Sequence, residues 1–145
     1  VSSGLARGID SSAHLGCLDM NGKTIAVLGN GLDTVYPNKK KNLVKRILDE
    51  GGLIITESFV EERVSAGSLL LRNKLLVGLC ANVIVVETGV KGGTMHTVEL
   101  GIKAGRKIGC FTYDNDDRAG NIELLKNPKI TALQNYKNLD RFLKN

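Results

Sequence analysis

Three stretches of this 145-residue chain carry residue types that can grip an anion. In VSSGLARGIDSSAH (Val1 to His14), Gly4 and Gly8 let the backbone come close to a ligand. Arg7 between them offers a guanidinium suited to bidentate phosphate contact. Arg7, Asp10 and His14 follow at spacings of three and four, so they share a helical face beside an apolar stripe of Ile9, Ala13 and Cys17. His14 either touches the ligand or closes a local hydrogen-bond network with Asp10. KGGT, from Lys91 to Thr94, stands at the start of a helix, where backbone N–H groups and the helix dipole favour an anion. There Gly92 and Gly93 admit close approach, Lys91 adds charge and Thr94 a hydroxyl. In LLLRNKLLVGL (Leu69 to Leu79), Arg72, Asn73 and Lys74 interrupt an otherwise apolar helix, which calls for a reason. Cations snorkelling near the helix start would be one. The favoured reading is a cluster of two cations and an amide gripping a phosphodiester, because the helix follows directly on a sheet-edge loop. The Walker pattern GxxxxGK[ST] and the dinucleotide pattern GxGxxG are both absent.

These loops need a frame that brings them to one edge. Short β-branched runs at Lys23–Gly29, Gly52–Ser58, Asn82–Thr88 and Arg106–Thr112, with a weaker one at Lys129–Leu133, read as buried parallel strands. Helical patterns lie between them, at Arg7–Met20, Lys39–Glu50, Gly67–Ala81 and Gly93–Ala104, with shorter ones at Asn121–Lys126 and Lys137–Leu143. Strand and helix alternating with short links predict an α/β, Rossmann-like, doubly wound and mostly parallel sheet with helices on both faces. Residues 1–145 read as a single domain, since no Pro-, Gly- or Ser-rich linker divides them. Val1–Ser3 reads as the end of a strand, so a leading strand of the domain is expected upstream of residue 1. Ligands of such sheets bind outside the carboxyl ends of the strands. The loops at that edge are SSGLARG, GNGLDTVYP, ESFVEERVSAG and ETGVKGG.

The totals narrow the classes. Hydrophobic residues make up 42% and charged residues 24%, the balance of a globular protein. No apolar run approaches the roughly 20 residues that span a bilayer, so no membrane partner is expected. Cys17, Cys80 and Cys110 are odd in number and far apart, which reads as reduced thiols in a cytoplasmic protein. With two histidines and no metal-ligand spacing, no metal and no cofactor are implied. The net charge of +5 is compatible with nucleic acid, although much of it sits in NKKKNLVKR (Asn38 to Arg46), which suits a solvated helix face equally well.

The segments VSSGLARGIDSSAH, GKTIAVLGNGLDTVYP, GGLIITES, RNK and VIVVETGVKGGT stand in the order and spacing of the DprA/Smf DNA-processing family, which the chain resembles from Val1 to about Leu133. The resemblance implies an extended Rossmann fold without catalytic activity, acting as a homodimer. It also implies two partners, single-stranded DNA and the RecA recombinase that the family loads onto it during natural transformation. Gly4, Arg7, Gly8, Asp10 and His14 match the family's SGLARGID…AH segment. Asn73 matches the asparagine of RN[RK], with Arg72 and Lys74 as flanking cations for DNA phosphates. Gly92, Gly93 and Thr94 stand where the family has Ser-Gly-Ser. Departures are visible too: SLLLRN replaces a segment with Phe-Pro before the arginine, and the strand carrying a Gly-Ser-Arg phosphate contact is not in this sequence. RNK followed by GGTMHTVE also resembles the LOG family of nucleoside-monophosphate phosphoribohydrolases, in which Glu99 would be the base. A nucleotide-sensing module without chemistry would use the same turns. Tyr36, Phe59, Phe111 and Tyr113, in or near the edge loops, lean toward DNA by offering rings for base stacking.

Overall fold

The computed structural model describes residues 1–34, 36, 38–113 and 118–144; Val35 and Pro37 of the second edge loop lie outside the described residues. The strands are β1 (Ser2–Ser3), β2 (Ile25–Leu28), β3 (Leu53–Thr56), β4 (Asn82–Val85), β5 (Lys107–Phe111) and β6 (Ile130–Leu133). The helices are α1 (Ile9–Asp19), α2 (Lys41–Asp49), α3 (Ala66–Gly78), α4 (Gly93–Lys103), α5 (Ala119–Leu125) and α6 (Tyr136–Lys144). Each lies within a few residues of its sequence-based bounds. The fold is α/β and Rossmann-like. Among the described residues the strands pair in two all-parallel sets of three, β1-β2-β3 and β4-β5-β6, where the sequence suggested one sheet. The sets fall in two compact units, Val1–Leu79 and the remainder from Cys80.

In the first unit, β2 is central, with Ile25 in register with Ser2 on one side and Leu53 on the other. Ala26 and Leu28 of β2 pack with Leu5, Leu18, Leu43 and Ile47 into its core. The face of α1 that is buried is Ser11, His14 and Leu18, whereas Ile9 is exposed. This corrects the expected stripe of Ile9, Ala13 and Cys17. The reason is that two polar residues of α1 find partners inside. The Ser11 hydroxyl donates to Ala6 O at 2.6 Å, and His14 Nδ1 meets Thr24 Oγ1 at 2.7 Å. Thr24 in turn donates to Val1 O at 3.0 Å, so its hydroxyl accepts from His14 and the imidazole carries its proton on Nδ1. The basic run of α2 is a solvated face: Arg46 pairs with Asp19 and Glu50, and Lys45 with Asp49.

In the second unit β5 is central, with Ile108 in register with Val83 and Ile130. Val85, Val98, Ile108, Cys110, Leu124 and Ile130 form its core. No helix among the described residues is long and apolar enough to cross a membrane.

His14 is 0% exposed and its Nε2 is buried without a partner. Burial is the main cause that pushes its pKa below 6.5; Asp10 opposes the shift, while the Val1 amine and Lys40 add to it. The folded protein therefore binds fewer protons than the unfolded chain just below pH 6.5. Stability is full above that pH and declines as the pH falls through the window beneath it. Urea midpoints measured from pH 7.5 to 5 should drop, and His14→Asn should flatten that part of the slope; equal slopes in the two proteins would assign the decline to other groups.

Candidate functional site

The loop Gly4–Gly8 leaves β1 and turns into α1 under constraint from α1 itself. Asp10 Oδ2 accepts hydrogen bonds from Gly4 N and Ala6 N, each at 3.1 Å, while Ser11 holds Ala6 O from the other direction. Between the clamped residues, Leu5 takes a left-handed backbone (φ 58) and its side chain is buried in the core. Such a conformation costs a non-glycine residue about 1–2 kcal/mol and persists only where its surroundings fix it. Gly8 has φ 75 at the N-cap of α1, a region that glycine occupies without strain. Arg7 is left exposed at the loop's crest.

Gly4 has a task that its sequence context did not show. A Cβ there would overlap the guanidinium of Arg72, so the bare glycine is what lets that side chain lie against the loop. Arg72 comes from α3, which is fixed at its start by a capping box: Ser65 Oγ accepts from Ser68 N at 3.0 Å, and Ser68 Oγ accepts from Ser65 N at 2.9 Å. Arg72 is 9% exposed. Its Nη1 donates to Val27 O at 2.7 Å, its Nε is buried without a partner, and it makes no ion pair among the described residues. Burial pushes its pKa down, and the charge of Asp10 opposes that shift. Taking a cation out of water without an anion beside it is costly.

Arg72 forms part of the wall of a cleft of about 300 Å³, which Gly4, Ala6, Arg7, Leu28, Gly29, Asn30, Tyr36 and Leu69 complete. The buried Asn30 folds the rim, its Nδ2 donating to Gly31 O at 2.9 Å and to Thr34 O at 2.7 Å. Successive helix residues are about 100° apart. Arg72, Asn73 and Lys74 therefore do not act as one cluster: Arg72 and Asn73 are buried and Lys74 is exposed. The expected pattern of greasy residues inside and polar ones breaking through is inverted, since Leu70 and Leu71 are the exposed ones.

The second unit presents its own turn. Lys91, Gly92, Gly93 and Thr94 are all exposed, and α4 starts from Gly92 with no side-chain cap. Behind the turn a single side chain ties the loop down. Asn121 accepts from Thr88 N at 2.9 Å and donates to Val86 O at 2.9 Å and to Phe111 O at 3.0 Å. Tyr113 adds a hydrogen bond to Val86 O, and Arg118 lies 4.0 Å over its ring while pairing with Glu87. Glu99 is exposed on α4.

The structure thus brings Gly4, Arg7 and Arg72 to one cleft, and Lys91, Gly92, Gly93 and Thr94 to one turn. It places His14 fully buried in the first unit, beside Thr24. Sequence reasoning missed Asn30 and Asn121. Their only signal was an asparagine in a glycine turn and another at the first turn of a short helix, where its amide can serve neighbouring backbone.

A parallel α/β fold with glycine turns and cations beyond its strand ends belongs to the class whose ligand sites lie at the carboxyl edge of the sheet. The chain matches the model of the family described as DNA recombination-mediator protein A over residues 1–144, and it belongs to that family. It is 38% identical over 108 residues to Protein Smf of Escherichia coli, covering 74% of this chain and 29% of the relative. It is 39% identical to DNA processing protein DprA of Streptococcus pneumoniae, covering 74% and 38%. Among solved structures, DNA processing protein A of Streptococcus pneumoniae superposes with a TM-score of 0.85 at 30% identity, covering 97% of this chain and 50% of that one. A structure of the Helicobacter pylori protein, determined for its single-stranded DNA binding mode, gives a TM-score of 0.88 at 28% identity, covering 99% and 65%. The chain therefore spans about a third of the length of these curated relatives.

Two substitutions test the geometry. Gly4→Ala should destabilise the first unit by about 1–3 kcal/mol through overlap with Arg72, read as a lowered urea midpoint. Asn121→Ala leaves Thr88 N and two carbonyls without their partner and should cost about 2 kcal/mol or more; a midpoint unchanged in either variant would contradict the placement.

Proposed function

We propose that this chain binds single-stranded DNA as part of a DNA-processing protein and does so without catalysing a reaction. The observation that carries the reading is Arg72: a guanidinium held nine-tenths out of water, in no ion pair among the described residues, on the wall of an open cleft. The family match and the DNA-binding mode described for the Helicobacter pylori relative support the choice of nucleic acid. Arg7 at the cleft, Lys74 on α3 and Lys91 at the α4 turn are exposed cations that can follow a phosphate backbone, with Gly92, Gly93 and Thr94 supplying donors at the turn. Family membership further supports a role in loading a RecA-type recombinase and action as a homodimer. A match that spans residues 1–144 supports reading both units as parts of one domain, and three free thiols support a cytoplasmic setting.

Fluorescence anisotropy with labelled oligo-dT of about 15 nucleotides tests the reading. If three cations contact phosphates, affinity should fall about twentyfold between about 50 and 200 mM salt. Arg7→Ala should lower the salt slope by somewhat less than one unit, and duplex DNA should compete poorly. Displacement of the oligonucleotide by AMP at comparable concentration, or cleavage of AMP, would instead support a nucleotide site, and absence of oligonucleotide binding would remove the DNA reading.

A further inference from the structure

The first glycine loop has the position of a phosphate cradle but not its chemistry. A phosphate at such a loop is held by backbone N–H groups beside a helix start. Here Gly4 N and Ala6 N both donate to Oδ2 of Asp10, at 3.1 Å each. One oxygen from the first turn of α1 thus stands where a phosphate oxygen would accept those bonds. The backbone around that contact is set: Leu5 is buried with a left-handed φ of 58, and Ser11 Oγ donates to Ala6 O at 2.6 Å. The charge of Asp10 also acts favourably on the buried guanidinium of Arg72. The start of α4 is different: Gly92 leads into it with no side-chain cap, and Lys91 to Thr94 are exposed.

An anion arriving at this loop meets a carboxylate, and the repulsion grows with the anion's own charge. A phosphodiester inside a strand carries a single negative charge. A phosphomonoester, the end group of a free nucleotide or of a 5′-phosphorylated strand, carries about 1.5 to 2 at neutral pH. Resting on the single-stranded DNA reading, we infer that Asp10 is a specificity-determining residue. It occupies the loop's donors as a built-in anion, and so turns the protein away from phosphomonoesters and toward the interior phosphodiesters of a strand. The strand's charge is then met by the exposed cations Arg7, Lys74 and Lys91. An aspartate that did no more than fix the loop would affect stability and leave that choice unchanged.

The test uses Asp10→Asn, which keeps an acceptor for both N–H groups and removes the charge. Anisotropy at fixed salt compares oligo-dT ending in a 5′-hydroxyl with the same oligomer ending in a 5′-phosphate, and calorimetry compares AMP with adenosine. The wild-type protein should bind the two oligomers alike, and AMP within about threefold of adenosine. In Asp10→Asn the 5′-phosphate and AMP should each gain about tenfold over their unphosphorylated counterparts, whatever the absolute affinities. A variant with a lowered urea midpoint but unchanged ratios makes Asp10 a structural clamp and overturns the inference. A tenfold preference of the wild-type protein for either phosphomonoester overturns it as well, and that comparison decides alone if Asp10→Asn does not fold. Failure of both oligomers to bind either protein overturns the DNA reading, while AMP against adenosine still judges Asp10.

Discussion

The first unit is organised around a guanidinium lying against a glycine. Arg72 reaches the first loop only because Gly4 has no Cβ, and Gly4 is held there because its N–H is bonded to Asp10. Asp10 holds Ala6 N as well, which fixes Leu5 in its left-handed conformation and drives that side chain into the core. One carboxylate therefore sets the shape of the loop, supplies the charge that makes Arg72 tolerable in a desolvated position, and keeps the loop's own donors from a ligand. Removing any member of this set changes the other two, so their energies will not add.

The second unit solves a similar problem by other means. The backbone leading into its glycine turn is pinned from behind by the amide of Asn121, which satisfies three backbone groups from two strand ends at once. The turn itself, from Lys91 to Thr94, stays exposed and uncapped. A clamped loop beside a desolvated cation suits the recognition of a shaped group. An open helix start with a lysine suits a solvated phosphate, whose contacts are many, individually weak and sensitive to salt.

Much of this was legible before any coordinates. All six helices and the five longer strands stand within a few residues of the β-branched runs and helical patterns that announced them, because short buried strands and amphipathic helices leave local signals. The cations and glycine turns of the cleft and of α4 were legible for the same reason. What the sequence concealed was inside against outside. The face of α1 could not be read from hydropathy, because Ser11 and His14 are buried by virtue of partners, Ala6 O and Thr24, that only folding brings near. The role of Gly4 was hidden because its neighbour Arg72 is distant in sequence, and Asn121 was hidden because its partners lie on two other segments.

Helix α3 carries the same lesson into function. A helix with five leucines would be expected to bury them and show its cations to water. This one buries Arg72 and Asn73, leaves Leu70 and Leu71 exposed, and gives Leu69 to the wall of the cleft. The inversion sacrifices apolar burial, and hydrophobic patterning alone would not select it. Its start is secured by the Ser65–Ser68 capping box, and its orientation by the hydrogen bond from Arg72 to Val27 O, the end of a strand at the centre of the sheet. Places where a sequence departs from the pattern its fold would choose are where selection for a task outweighs selection for stability. On that argument the buried guanidinium, and not the exposed lysine two residues later, is the feature that α3 exists to position.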